Sequence, residues 1–171
     1  MLILSAHFLA DFYFQPNLWA IKKYQHQKYL WYHIGVYFFV LEICLILCIP
    51  FSEAIKAGLF IVSSHFIIDA VKIYIYNRYR NSALIDLAAF CVDQILHIIS
   101  ICVALCLFNL PFYFNGKFEI MCIQFQSEKI MNYLLLIVLL FNPASVFIKN
   151  LQHIYLLKII RNFPIVLLQE V

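Results

Sequence analysis

Apolar and polar positions divide the chain into five long hydrophobic segments joined by short polar connections. The segments run over about 1–21, 29–49, 54–76, 84–108 and 130–148, and each reaches the roughly 20 mostly apolar residues that a helix needs to cross a bilayer. KKYQHQK, with Lys22, Lys23 and Lys28, separates the first two, and NRYRNS, with Arg78 and Arg80, separates the third from the fourth. Lys149, Lys158 and Arg161 follow the last segment. The other two connections are balanced: Glu53 against Lys56, and Glu119 and Glu128 against Lys117 and Lys129. Basic residues collect on the cytoplasmic side of spans. The pattern therefore predicts an all-α, polytopic transmembrane helix bundle of about five spans, with its N-terminus outside and its C-terminus in the cytoplasm. A single membrane domain over 1–171 is expected. Residues 109–129, aromatic and irregular, are expected along the outer interface. The tail 149–171, where LQHIYLLKIIRN has apolar residues at helical spacing, is expected to form a cytoplasmic interfacial helix.

Composition agrees with this pattern. Hydrophobic residues make up 65% of the 171 positions and charged residues 12%, far from the roughly 45–50% and 25% of soluble domains. The lipid bilayer is the expected partner. The net charge of +3 is spread over short runs that serve as topology signals, so no nucleic-acid partner is expected. MLILSAHFLADFYFQP lacks a basic leading region and carries Asp11 in its middle, so the first segment is expected to persist as a helix. Cys44 with Cys48 and Cys102 with Cys106 stand one helical turn apart in apolar runs, where cysteine acts as a small hydrophobe, and none forms a CxxC pair. Cys122 stands alone in the expected outer loop.

Ionisable residues inside the segments alter the picture most. His7 and Asp11 stand four apart, with Gln15 four further on; His65 and Asp69 also stand four apart, with Lys72 three further on. Each set shares one helical face. In the fourth segment the order reverses to Asp93 then His97, with Asp86 seven residues before Asp93. That segment also runs in the opposite direction across the membrane. Every histidine thus lies about one turn deeper than its aspartate, giving a carboxylate layer nearer the cytoplasm and an imidazole layer beyond it. His33, near the start of the second segment, faces the same region. Glu42, deeper in that segment, has no evident partner. A charge in the bilayer costs at least ~2.5–3.5 kcal/mol, so such residues turn inward and pair or serve a function.

Imidazoles and carboxylates on facing helices are the material of a divalent metal site, with zinc or manganese the candidate ion. The candidate ligands are His7, His65, His97, Asp69, Asp93 and His33. A carboxylate among Asp11, Asp69 and Asp93 that is left uncoordinated is the candidate general base, and Lys72 the group that meets a developing phosphate-like anion. The corresponding activity is hydrolysis of a lipid or phosphoester substrate at the inner leaflet. Two other readings stand beside it. A structural network would make the protein a non-enzymatic scaffold or regulator. An ion or proton pathway also uses intramembrane Asp and His, although no segment shows the glycine or proline break of discontinuous transport helices. Pro16 either kinks the first segment or ends it. Ser63 and Ser64 are given no chemistry.

AHFLADFYFQP at 6–16, His33, SHFIIDAVK at 64–72 and DQILH at 93–97 together resemble the bacterial integral-membrane family catalogued as domain of unknown function 3307. The likeness covers about residues 4–100, with FNPASVFIKNL at 141–151 a weaker continuation. It implies a multi-pass protein of the bacterial inner membrane and supplies no activity. The motif positions are His7, Asp11, Gln15, Pro16, His33, His65, Asp69, Lys72, Asp93, Gln94 and His97. The departure is C-terminal: longer members carry a further apolar segment with a glycine and a glutamate, whereas this sequence ends at LLQEV, as expected of either a short or a truncated member. SHFIID is also similar to the HLLLD-type motif of predicted membrane-bound metal-dependent hydrolases, a looser likeness that implies metal-assisted hydrolysis.

Overall fold

The computed structural model describes residues 2–47, 49–79, 83–108, 110 and 128–162, and among these the chain is a bundle of helices without strands. Helix α1 (Leu2–Phe8) passes into a π-helical turn at Leu9–Tyr13; α2 (Asn17–Lys22), α3 (Gln27–Ile46), α4 (Phe51–Tyr79), α5 (Ala83–Leu107), α6 (Glu128–Phe141) and α7 (Pro143–Asn162) follow. The layers are set by α4, which packs against both α3 and α5, while α1 lies across α3, α5 and α6. Most of the expected interfacial segment 109–129, with Cys122, lies outside the described residues, as does the tail from 163 onward.

Among the described residues four stretches are long and apolar enough to cross a membrane: Gln27–Ile46, Phe51–Tyr79, Leu84–Leu107 and Asn132–Lys158. They match the second to fifth expected spans with shifted ends. The fourth stretch takes in much of α6 and α7, so the boundary expected at 148 is replaced by a junction at Asn142 and Pro143. Proline suits the first position of a helix because its missing N–H would have no partner there, and the Asn142 carbonyl accepts the Val146 N–H at 3.0 Å. Large apolar side chains such as Phe39, Ile67 and Ile95, 67%, 60% and 56% exposed, point away from the bundle. This inside-out distribution is what a lipid solvent calls for.

The first segment differs from the single helix expected over 1–21. Its α-helix widens into the π turn, where the Phe14 N–H donates to the Leu9 carbonyl at 3.0 Å, and then stops before α2 begins at Asn17. Pro16 is the physical reason. It has no N–H to give the Phe12 carbonyl, and the Asn142 side chain supplies one from α7's threshold at 2.8 Å. The Tyr13 hydroxyl similarly donates to the Val138 carbonyl at 3.1 Å. The broken segment is thus fastened to α6 and to the α6–α7 junction by the groups that its irregularity exposes.

Small residues let the helices approach. Ala6 and Ala10, Ala54 and Ala57, and Ala104 are all buried, with Leu41, Leu45 and Ile61 filling the space between them. The buried stripe of α3 reads Leu30, His33, Ile34, Tyr37, Leu41, Glu42, Leu45, and that of α4 reads Ala54, Ala57, Gly58, Ile61, Val62, His65, Asp69. Apart from Glu42, both are apolar at one end of the bundle and carry their ionisable residues toward the other.

Candidate functional site

The spacing rules place His7 and Asp11, His65 and Asp69, and Asp93 and His97 on the inner faces of three elements, and the bundle closes around them. His7, His33, His65, His97, Asp69 and Asp93 are each 4% exposed or less. The Asp11 side chain retains 10% exposure and Lys72 18%, so the cluster meets the surface at these two residues. Asp11 lies in the π turn, a widening that recurs at functional sites because it re-aims a side chain.

The imidazole layer is present. His7 and His97 stack with ring centroids 5.2 Å apart, His65 lies 4.1 Å from His97, and His7 lies 5.7 Å from His65. Tyr37 closes the layer by stacking on His65 at 3.9 Å, with its hydroxyl 2.9 Å from His7 Nδ1. His97 Nδ1–H donates to the Asp93 carbonyl at 2.6 Å. This fixes the tautomer that leaves Nε2 as the free ring atom.

In the carboxylate layer the three aspartates have different partners. Asp69 accepts a hydrogen bond from Lys23 Nζ at 2.9 Å, and Asp93 accepts one from Lys72 Nζ at 2.6 Å. Asp11 has no lysine. Its Oδ1 lies 3.1 Å from His33 Nε2 and 3.7 Å from His65 Nε2, and those two nitrogens are 3.0 Å apart. Gln94 Nε2 donates to Asp93 at 3.1 Å and reaches Asp11 at 3.4 Å. Asp69 Oδ2 completes the surroundings, 3.5 Å from His33 Nε2.

Among the described residues two groups have the makeup of metal sites: Asp11, His33 and His65, and Asp69, Asp93 and His97, each with ligand atoms within 4.8 Å of one another. The first fits an ion better. Ligands 2.0–2.1 Å from a tetrahedral zinc stand roughly 3.3 Å apart, and the three edges of this triangle scatter about that length. Its ligand atoms are free of ammonium groups, whereas in the second group each carboxylate already holds a lysine. Several buried atoms have no hydrogen-bond partner among the described residues: His7 Nε2, His33 Nδ1, His65 Nδ1, His97 Nε2 and Asp93 Oδ1. These atoms keep hydrogen-bonding or ligand capacity that a bound group or water would use.

The expected residues therefore meet, but in a different division of labour. His33, expected at the margin, sits at the centre of the first triad with Asp11, a residue expected among the candidate bases and not among the ligands. His7 and His97 belong to the inner layer, apart from that triad. Asp86, also noted on the fourth segment, forms no part of either group. Lys23 was read as a topology signal, yet it is 7% exposed and bound to Asp69. Burial opposes its charge, but the Asp69 and Asp11 carboxylates outweigh burial and hold the Lys23 ammonium above the usual lysine range. Neighbouring Tyr24 has its phenol pushed up by burial, and the Asn77 side-chain amide donates to its carbonyl at 3.0 Å, tying this connection to the end of α4. Nothing in KKYQHQK distinguishes Lys23 from Lys22. Tyr37 was within reach, since it follows His33 by four residues as His7 precedes Asp11.

The family model described as a protein of unknown function, DUF3307, matches residues 1–121. The match takes in α1 to α5 and every residue of the cluster, and the chain belongs to that family. No curated protein and no solved structure matches the chain.

Proposed function

Because membership of this family brings no activity with it, we propose from the site alone that the protein is a multi-pass bacterial inner-membrane protein that binds one divalent cation at Asp11, His33 and His65 and hydrolyses a lipid or other phosphoester at the inner leaflet. The observation that carries the reading is the triangle of His33 Nε2, His65 Nε2 and Asp11 Oδ1, with edges of 3.0, 3.1 and 3.7 Å. Two imidazoles and one carboxylate leave a fourth tetrahedral position open, as catalytic zinc sites do. Manganese prefers more oxygen ligands and would draw on Asp69 as well.

Charge balance supports one ion rather than two. With neutral imidazoles, three aspartates and two lysines leave one negative charge uncompensated in a buried volume, and buried charge without a partner is costly. A divalent cation turns that deficit into one positive charge, which favours an anionic oxygen from water or from a phosphoester. A second divalent cation would leave the cluster strongly positive. The bound ion would polarise a phosphoryl oxygen and lower the pKa of water toward about 7. Asp69, steadied by Lys23 and 3.5 Å from His33 Nε2, is placed to accept a proton at its carboxylate. Lys72, at the exposed margin, is placed to meet phosphoryl oxygens, with Asp93 holding it in readiness.

The lysine pairs favour a second reading, in which the cluster only fastens helices and the protein is a non-enzymatic scaffold. Metal analysis of the purified full-length protein, loaded with zinc or manganese and then desalted, separates the two. About one equivalent is expected in the wild type, as for a site with three protein ligands, with loss in His65→Ala and Asp11→Asn. Lys72→Gln should keep the ion and lose phosphoester hydrolysis. Wild-type protein that retains no ion, or His65→Ala that retains as much as wild type, overturns the metal reading in favour of the structural one.

A further inference from the structure

At the apolar end of the same stripe on α3 lies a carboxyl group that the cluster does not use. Glu42 is 5% exposed, and both of its oxygens are enclosed without a hydrogen-bond partner among the described residues. Its seat is made by Gly58 on α4. A Cβ added there would overlap Glu42 Oε2, and the two next-nearest atoms, Cδ and Oε1 at 2.9 and 3.3 Å, belong to the same carboxyl group. A notch shaped by a glycine thus receives an acid.

Among the described residues the surroundings offer no counter-charge. The facing stripe of α4 reads Ala54, Ala57, Gly58 and Ile61. Glu53 and Lys56 are more exposed and pair with each other at 3.0 Å. On α3 itself, the Tyr37 hydroxyl is engaged with His7, and Cys44 is a free, half-buried thiol. The buried residues of α1, which packs on α3, are Ile3, Ser5, Ala6, His7 and Phe8, and those of α5 nearest this end are Ile101 and Ala104. An ionised carboxylate buried here has no partner among the described residues, and a group so placed takes up a proton instead.

We infer that Glu42 is a proton-binding site within the bundle: a neutral carboxylic acid seated against Gly58, open to modification by apolar carbodiimides. The inference is independent of the metal reading. In the modification the acid's proton passes to one carbodiimide nitrogen and the carboxyl oxygen bonds to the central carbon. The resulting O-acylisourea rearranges by acyl shift to a stable N-acylurea, so all atoms of both reactants are retained and nothing is oxidised or reduced. Aspartates already bound by lysine carry no such proton.

The full-length protein in phosphatidylcholine nanodiscs, treated with dicyclohexylcarbodiimide at neutral pH and mapped by peptide mass spectrometry, should carry the adduct on Glu42 and none on Asp69 or Asp93. Infrared difference spectra of wild type minus Glu42→Gln should show a carbonyl band of a neutral carboxylic acid, and Gly58→Ala should shift that band by displacing the carboxyl group. Carboxylate stretches in place of the acid band would overturn the inference. So would an unmodified Glu42 in wild-type protein, a result that requires no variant to fold.

Discussion

The two ends of the α3–α4 pair solve the same packing problem with different chemistry. Toward Leu45 and Ala54, small residues on α4 let leucines of α3 approach closely, and a single acid, Glu42, occupies a glycine notch. Toward His33 and Asp69, charges from four elements interlock, and each lysine in the cluster meets a carboxylate. Dispersion at the first end tolerates imperfect fit by degrees. Electrostatics at the second does not, because removing one partner strands the other charge.

Lys23→Ala should have the largest effect, stranding the Asp69 carboxylate at a cost of about 3–5 kcal/mol. Unfolding in detergent followed by circular dichroism measures it. Adding Asp69→Ala should recover much of the loss, and a double variant no better than Lys23→Ala would show that the pair is not coupled. Leu41→Ala, at the apolar end, should cost about 2–5 kcal/mol through the cavity it opens; no second substitution at the polar end should rescue it. Tyr37→Phe stands at the boundary. It keeps the stacking on His65 and removes the hydroxyl from His7, so about 0.5–1.5 kcal/mol is expected; a loss as large as that of Lys23→Ala would extend the polar network into the apolar half. The smallest change belongs to Lys56→Ala, whose pair with Glu53 is largely exposed and is worth about 0–1 kcal/mol. Sensitivity there matching that of Lys23 would erase the contrast.

The helices and most of the polar cluster were legible in the sequence because both follow from periodicity. Long apolar runs announced the spans, and histidine four residues from aspartate on three segments announced a shared inner face. The break in the first segment was half visible, since Pro16 marks where a helix loses its N–H, but its rescue by Asn142 depends on a contact across most of the chain. Lys23 was hidden for a different reason. A lysine beside a membrane span reads as a topology signal wherever its side chain points, and only the path of the connection after α2 turns this one inward. The pairing of Asp11 with His33 rather than with His7 likewise depends on helix rotation, which a single sequence with broad apolar faces leaves open.

The origin of each partner in the cluster bears on how the protein is made. The lysine that neutralises Asp69 comes from the connection before α3, the lysine for Asp93 comes from α4, and Asp11 at the start of the chain meets imidazoles from both α3 and α4. Segments that fold one after another therefore leave Lys72 unmatched until α5 is in place. The first five helices should assemble as one unit, because a chain halted before Asp93 leaves the Lys72 ammonium without its carboxylate.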